Sequence, residues 1–272
     1  GAVCAVLGID RDVVSGVVAE AFGAKHPESA DGNRRALEGA FAWFAERPGA
    51  RKTLPPAGSS ACALMLNGNE ALALGAASAG LRFAAFYPMT PSTTIALTLA
   101  GMAERLGIVV EQAEDEISAV NMAIGSFFCG ARAMTGTSGG GLALMVEGIS
   151  LAGMTETPLV VVDCQRPAPA TGFPTRTEQA DLLFVTHCAH GEFPRAVLAP
   201  GNAQEAFHAI RKAFYLAEKY QSPVFVLGDQ VLNDSSWTTE PFAMDDRLGE
   251  AQSLVSDQAL KAMIQYHWPG NI

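Results

Sequence analysis

The spacing of apolar and polar residues divides the chain into four segments. Residues 1–50 repeat apolar positions every three to four residues, which predicts helices, the second of them over residues 33–46. Residues 51–60 are rich in proline and glycine and predict a linker. Residues 61–234 alternate short aliphatic runs with helical periodicity, whereas residues 235–272 have the composition of a polar C-terminal tail, or of a linker toward a further domain.

The alternating segment predicts an α/β domain with a doubly wound, mainly parallel sheet. Its predicted strands are residues 82–87, 108–112, 131–135, 159–163, 196–198 and 224–227. Its predicted helices are residues 67–80, 91–106, 115–129, 202–220 and a helix that follows a glycine loop at 136–141. Ligands of such sheets bind beyond the carboxyl ends of the strands, so residues that directly follow a strand are the candidates for function.

Composition and charge exclude several classes of partner. Hydrophobic residues make up 49% and charged residues 17% of the 272 positions, which is typical of a globular protein with a large core. The net charge of −10 argues against nucleic acid and against an anionic membrane surface. No apolar run reaches the ~20 residues of a membrane span. The five cysteines form no C-x-x-C pair, so we expect neither a structural metal nor an iron–sulfur cluster on this chain, and a cytoplasmic location.

The first predicted strand is followed by Y-P-M-T-P-S at residues 87–92. Pro88 and Pro91 restrict the backbone on either side of Thr90. The segment is therefore either a rigid turn in which Ser92 or Thr93 caps the next helix, or a means of presenting the Thr90 hydroxyl at the edge of the sheet.

The second predicted strand is followed by acidic residues that begin an apolar helix. Glu114 and Asp115 are explained by the preference of helix N-termini for negative charge. Glu116 is explained less well, because it begins a helix that is apolar nearly all round. We expect a buried carboxyl with a raised pKa, which can share a proton with a ring nitrogen.

Two further strand ends carry candidate residues. The glycine loop at 136–141 either binds an anion at a helix N-terminus or allows close helix–sheet packing, and it does not match the G-x-G-x-x-G of dinucleotide sites. Arg166 follows the aliphatic run at 159–163. It is either a structural arginine, for example one paired with Glu178, or a bidentate ligand for a carboxylate.

Together these segments resemble the alpha subunit of the 2-oxoacid:ferredoxin oxidoreductases, the family that includes the pyruvate and 2-oxoglutarate enzymes. The motifs that carry the resemblance are Y-P-M-T-P-S at 87–92, E-D-E at 114–116, M-T-G-T-S-G at 134–139, Q-R-P at 165–167 and P-T-R-T-E-Q at 174–179. Residues 1–50 resemble the end of the gamma domain that precedes the alpha part in many members. The resemblance implies the pyrimidine-binding fold of thiamine-diphosphate enzymes for residues 61–234.

The resemblance also implies roles for individual residues. Glu116 would hydrogen-bond the aminopyrimidine ring of thiamine diphosphate, Arg166 would hold the substrate carboxylate, and Thr90 would bond near the reacting carbonyl. Further contacts to the cofactor would come from Tyr87, Pro88, Thr137 and Ser138. Arg176 would meet a second carboxylate, which favours 2-oxoglutarate over other 2-oxoacids.

The remaining parts of such an enzyme are expected on other molecules. A beta subunit would carry Mg²⁺, the diphosphate site and a [4Fe-4S] cluster, and this chain would be inactive without it. Coenzyme A and a 2-oxoacid would be the substrates, with ferredoxin or flavodoxin as electron acceptor. The alternatives are a non-catalytic assembly subunit of the same kind of complex, a subunit of a different thiamine-dependent enzyme, or a nucleotide-binding oxidoreductase built around the glycine loop.

Overall fold

The computed structural model describes residues 1–23, 27–47 and 64–243, which fall in two compact units, residues 1–61 and 62–272. The described part of the first unit is helical: α1 (Ala2–Leu7), α2 (Arg11–Phe22) and α3 (Pro27–Ala45). The helix predicted at 33–46 begins earlier, at Pro27, because proline is favourable in the first turn of a helix. The expected linker at 51–60 lies outside the described residues.

The second unit contains eight strands and seven helices within its described residues. The strands are β1 (Leu64–Leu66), β2 (Phe83–Phe86), β3 (Val109–Gln112), β4 (Ala133–Thr137), β5 (Leu159–Gln165), β6 (Ala196–Leu198), β7 (Pro223–Asp229) and β8 (Trp237–Thr239). The helices are α4 (Gly68–Ser78), α5 (Thr93–Leu106), α6 (Glu116–Phe128), α7 (Gly139–Met154), α8 (Leu182–His187), α9 (Ala203–Tyr220) and α10 (Gln230–Asp234).

Six of these strands form one parallel sheet in the order β3-β2-β4-β5-β7-β6. Strands β2, β4, β5 and β7 are buried at every position, as expected of strands covered by helices on both faces. The chain runs outward from β2 to β3 and then returns to β4 on the other side of β2, so its direction reverses between β2 and β4. The predicted α/β, doubly wound, mainly parallel sheet with a helical N-terminal segment is confirmed.

The helices pack closely because small residues and specific polar contacts occur where they meet. In α4, a Cβ on Gly75 would lie 2.5 Å from the carbonyl oxygen of Phe207 in α9, so only glycine allows this approach. At the amino edge of the sheet, the Arg132 Nη2 atom donates to Glu218 Oε2 at 2.7 Å. Arg132 also donates to the carbonyl oxygen of Ala79, and it thereby joins the end of α4, the start of β4 and the end of α9.

The segment expected to be a tail from residue 235 begins inside the second unit. Its residues Trp237–Thr239 form β8, which pairs antiparallel with β1. The sequence analysis also missed β1, α8 and α10, which are too short to show a clear periodicity. Residues 244–272, the rest of the expected tail, lie outside the described residues. Among the described helices, none is both long and apolar enough to span a bilayer.

Candidate functional site

The reversal of chain direction between β2 and β4 creates a crevice at the carboxyl edge of the sheet, where doubly wound proteins bind ligands. The segment at 87–92 follows β2, and the first residue of α6 is Glu116, four residues after the end of β3 at Gln112. Ser138 follows β4, and Arg166 follows β5. The candidate residues predicted from the sequence therefore come from four adjacent strand ends.

Glu116 is the buried carboxyl of this crevice. Asp115 caps α6 by accepting a hydrogen bond from Ser118 N at 2.7 Å, which starts the helix with the Glu116 side chain turned inward. Glu116 is 2% exposed, so its expected burial is confirmed. Its Oε1 atom has no hydrogen-bond partner within the described residues. A buried acceptor without a partner is costly, and a ligand that donates a hydrogen bond would remove that cost.

Burial is the main cause that raises the pKa of Glu116 above its usual value. A backbone N–H lowers the pKa, the charge of Asp115 raises it, and the Arg166 guanidinium lowers it, each by less than burial raises it. Glu116 therefore keeps its proton to a higher pH than an exposed glutamate does. A carboxyl in this state can donate to a ring nitrogen or accept from it.

The predicted glycine loop at 136–141 is wrong, because its first half belongs to a strand. Gly136 and Thr137 continue β4 and pair with β5, and α7 begins at Gly139, so Ser138 alone connects strand and helix. Gly136 is required in the strand because a Cβ there would lie 2.6 Å from the Phe86 ring. Residues 136–141 are therefore not one continuous loop, and Gly136 allows close packing against Phe86 of β2.

Thr137, Gly141 and Glu116 lie in direct contact. A Cβ built on Gly141 would be 2.1 Å from Thr137 Oγ1 and 2.5 Å from Glu116 Oε1. Glycine at this position leaves the space that both side chains occupy. Thr137 Oγ1 lies 3.8 Å from Met89 Sδ, so it also borders the segment at 87–92. The buried Ser138 Oγ has no hydrogen-bond partner within the described residues.

Arg166 joins the ends of β2 and β5. It is 8% exposed, and its Nη1 atom donates to the carbonyl oxygen of Thr90 at 2.9 Å. The alternative of an ion pair with Glu178 is wrong, because the salt bridges of the described residues do not include one between these side chains. The guanidinium is thus anchored by one nitrogen beside the exposed Thr90, and no hydrogen bond from its other nitrogens is found within the described residues, so those donors are available to a ligand.

The segment at 87–92 presents its side chains outward. Tyr87, Pro88 and Thr90 are exposed, so they border the crevice and do not contribute to the core. Ser92 does not cap α5 through its side chain. Its hydroxyl donates back to the carbonyl oxygen of Met89 at 2.6 Å, which tightens the turn.

Arg176 lies apart from these residues, on the exposed loop at 168–180. Its Nη1 atom donates to the carbonyl oxygen of Thr175 at 3.0 Å, and within the described residues no hydrogen bond or ion pair joins it to Glu116 or Arg166. The loop is held where it ends: Gln165 Oε1 accepts from Asp181 N at 3.0 Å, and Gln165 Nε2 donates to the carbonyl oxygen of Gly228 at 3.2 Å.

Asp163, the last residue of the strand predicted at 159–163, is a buried carboxyl. It pairs with Thr137 across β4 and β5, it is fully buried, and neither of its oxygens has a hydrogen-bond partner within the described residues. Burial, and secondly the charge of Asp181, raise the pKa of Asp163 well above the ordinary carboxyl range. The only sequence signal for this burial was the aliphatic run that precedes the aspartate.

The substitution Asp163→Asn is expected to remove a pH dependence of stability. Between the ordinary pKa of an aspartate and the raised pKa of Asp163, the folded protein holds a proton that the unfolded chain releases. The free energy of unfolding of the wild type should therefore fall as pH rises, by up to about 1.4 kcal/mol per pH unit. Denaturant unfolding at a series of pH values above about 4 measures this difference between variant and wild type.

The matched control for this prediction is Glu104→Gln, which removes an exposed carboxyl on α5. We expect its stability to follow the wild type in parallel at every pH. If the free energy of unfolding of Asp163→Asn also followed that of the wild type in parallel at every pH, Asp163 would ionise normally in the folded protein.

Comparisons with known proteins identify relatives of this chain in sequence and in fold. Residues 74–263 match the family model of the pyruvate flavodoxin/ferredoxin oxidoreductase thiamine diphosphate-binding domain. The alpha subunit of 2-oxoacid:ferredoxin oxidoreductase from Saccharolobus solfataricus is 47% identical over 182 residues, which are 62% of this chain and 29% of that subunit. The 2-oxoglutarate synthase subunit KorA from Methanothermobacter thermautotrophicus is 47% identical over 167 residues, which are 61% of this chain and 44% of that subunit.

A solved structure shares the fold. The 2-oxoglutarate:ferredoxin oxidoreductase from Magnetococcus marinus, solved with 2-oxoglutarate, coenzyme A and succinyl-CoA bound, superposes with a TM-score of 0.77 at 35% identity, over 89% of this chain and 44% of that chain. The chain thus spans less than half the length of each of these relatives. Since the family model covers well over half of its residues, the chain belongs to the pyruvate flavodoxin/ferredoxin oxidoreductase family through a thiamine diphosphate-binding domain.

Proposed function

We propose that this chain is part of the alpha subunit of a 2-oxoacid:ferredoxin oxidoreductase and supplies the aminopyrimidine-binding half of its thiamine diphosphate site. The observation that carries the proposal is the partnerless Oε1 atom of Glu116, buried beside Thr137 at the reversal of the sheet. An aminopyrimidine ring offers a ring nitrogen and an amino group, which a buried carboxyl and neighbouring hydroxyls can satisfy. The residues present therefore fit the cofactor.

Thiamine diphosphate, when bound, supplies an acidic ring carbon and stores the electrons that decarboxylation releases. In the proposed site Glu116 holds a proton at the ring nitrogen, which its raised pKa favours. Thr137 and Ser138 contact the ring from the end of β4, with Tyr87 and Pro88 at the end of β2. Glu116, Thr137 and Ser138 are buried, so these three side chains would orient the ring before the substrate arrives.

The 2-oxoacid is bound by Thr90 and Arg166 in this proposal. Arg166 is anchored through Nη1, which leaves Nη2 and Nε to form two parallel hydrogen bonds with the substrate carboxylate. The exposed Thr90 hydroxyl bonds to the oxygen of the reacting carbonyl. Arg176, on the neighbouring exposed loop, meets the second carboxylate of 2-oxoglutarate, and the names of the KorA relatives and the 2-oxoglutarate-bound relative support this choice of substrate.

The proposal requires a beta subunit that carries the diphosphate site with Mg²⁺ and a [4Fe-4S] cluster. The acidic residue at the end of β7, Asp229, already caps α10 by accepting from Leu232 N at 2.8 Å and accepts a second bond from Gln179. It is therefore committed to the fold of this chain and does not replace the missing half-site. Coenzyme A is the acyl acceptor, ferredoxin or flavodoxin takes the electrons, and the complex works in the cytoplasm.

The complete alpha subunit, purified with its beta partner, is expected to reduce viologen in a reaction that needs both 2-oxoglutarate and coenzyme A. The 272-residue chain alone is expected to show no activity, because in this proposal the diphosphate and metal ligands belong to the beta subunit. Pyruvate and a branched-chain 2-oxoacid serve as the comparison substrates. Activity of the isolated chain would contradict the shared site, and a complex that oxidises no 2-oxoacid would favour an assembly subunit.

A further inference from the structure

Two buried asparagine side chains form a hydrogen-bonded relay behind the crevice. Asn233, in α10, donates through Nδ2 to the Oδ1 atom of Asn69 at 2.6 Å and also lies 2.7 Å from Cys164 Sγ. Asn69, in the first turn of α4, donates through its own Nδ2 to the carbonyl oxygen of Pro91 at 2.8 Å and, at the longer distance of 3.4 Å, to Asp234 Oδ1. Both asparagines are 0% exposed, and they lie 164 residues apart in the sequence.

Burial of two amides in an apolar core is a costly way to fill space. A buried amide needs hydrogen-bond partners, which an apolar side chain of similar size does not, and the Oδ1 atom of Asn233 has no hydrogen-bond partner within the described residues. The fold also makes room for the relay: a Cβ on Gly228 would lie 2.3 Å from Asn233 Oδ1. At one end of the relay Asn233 contacts the buried Cys164, and at the other end Asn69 bonds to the backbone of the segment at 87–92, which carries Thr90.

Three successive carbonyl oxygens of this segment are each held by a different donor. Met89 O accepts from the Ser92 hydroxyl, Thr90 O from Arg166, and Pro91 O from Asn69. Because peptide units are planar, hydrogen bonds to consecutive carbonyls fix the orientation of the backbone on both sides of Thr90. Arg166 is bonded to the same backbone, so a displacement of the segment would move its guanidinium as well.

We infer that Asn69 and Asn233 are positioning residues for the 2-oxoacid: Asn233 holds Asn69, and Asn69 holds the carbonyl of Pro91, which places Thr90 and Arg166. The inference rests on the proposed function for the identity of the ligand. Glu116 is held separately, through the Asp115 cap of α6. The relay should therefore affect binding of the 2-oxoacid and leave binding of thiamine diphosphate unchanged.

The test compares wild type, Asn69→Ala, Asn233→Ala and Asn69→Asp in the complete alpha–beta complex. Asn69→Asp keeps the size of the side chain and the oxygen that accepts from Asn233, but it removes the NH2 group that donates to Pro91. This variant replaces Asn69→Ala in the test if Asn69→Ala does not fold. We expect kcat/KM for the 2-oxoacid to fall on the order of tenfold to hundredfold, mainly through KM, because small misplacements of binding groups have effects of that size. The affinity for thiamine diphosphate, measured by titration of the apo complex, should stay at the wild-type value.

Hydrogen–deuterium exchange supplies a readout that does not depend on activity. Peptides covering residues 86–95 should exchange faster in the variants, whereas peptides from α6 and α7 should not change. Ser126→Ala is the matched control, because it removes a buried donor to a backbone carbonyl, that of Ala131, at the opposite edge of the sheet. It should leave both KM for the 2-oxoacid and exchange at 86–95 unchanged.

Unchanged exchange at residues 86–95 in Asn69→Ala and Asn69→Asp would overturn the inference. It would also be overturned if KM for the 2-oxoacid and the affinity for thiamine diphosphate worsened in parallel, as general destabilisation would cause. A wild-type complex that binds thiamine diphosphate but oxidises no 2-oxoacid would instead overturn the proposed function, and the substrate-positioning role with it.

Discussion

Replacement of Glu116 by glutamine in the complete alpha–beta complex is expected to reduce kcat for 2-oxoacid oxidation by about 10²–10⁴-fold, the usual range for loss of a proton-transferring group. The side chain keeps its size, so the buried site beside Gly141 should remain filled. Glutamine cannot release or accept a proton at the ring nitrogen, which is the role we assign to the raised pKa of Glu116. Steady-state viologen reduction with saturating thiamine diphosphate measures the loss.

The control for this substitution is Glu114→Gln, two residues earlier. Glu114 is exposed and precedes the helix, so its replacement should leave kcat unchanged. Size-exclusion chromatography of both variants establishes whether the complex stays assembled. Full activity of Glu116→Gln would mean that another carboxyl serves the cofactor, and loss of assembly without loss of turnover per complex would support a scaffolding role for the residue.

The environment of a residue could be predicted from the sequence where its neighbours in space are also its neighbours in the chain. The burial of Glu116 followed from the apolar residues that surround it on α6, and the position of Arg166 followed from the aliphatic run before it. In both cases the helix or strand that carries or precedes the residue determines its burial and position. The periodicity of apolar residues along that element indicates this burial directly.

Features that depend on contacts between distant segments could not be predicted in this way. Gly136 has the local preference of a loop residue, but the Phe86 ring on the neighbouring strand makes glycine necessary within β4. The relay between Asn69 and Asn233 gave no sequence signal, because each asparagine alone is typical of a helix end or a turn. Tertiary packing overrides local preference at these positions.

Gly141→Ala is expected to disable the cofactor site although glycine-to-alanine changes within helices normally stabilise them. The added methyl group would lie 2.1 Å from Thr137 Oγ1 and 2.5 Å from Glu116 Oε1, and both side chains are buried, so neither can move into solvent. We expect a loss of stability of about 1–3 kcal/mol from overpacking. We also expect weaker thiamine diphosphate binding and a loss of activity on the order of 10²-fold, since the carboxyl would be misplaced by about 1 Å.

Gly125→Ala is the matched control, because it adds the same methyl group to α6 at an exposed position where no atom lies within 4 Å. That variant should gain about 0.5–1 kcal/mol in stability from helix propensity and keep full activity and cofactor affinity. If Gly141→Ala behaved like Gly125→Ala in unfolding and titration experiments, Glu116 and Thr137 would have room to shift without consequence. The close contact among Glu116, Thr137 and Gly141 would then have no part in cofactor binding. The proposed role of Glu116 in binding the aminopyrimidine ring would be supported by its burial alone.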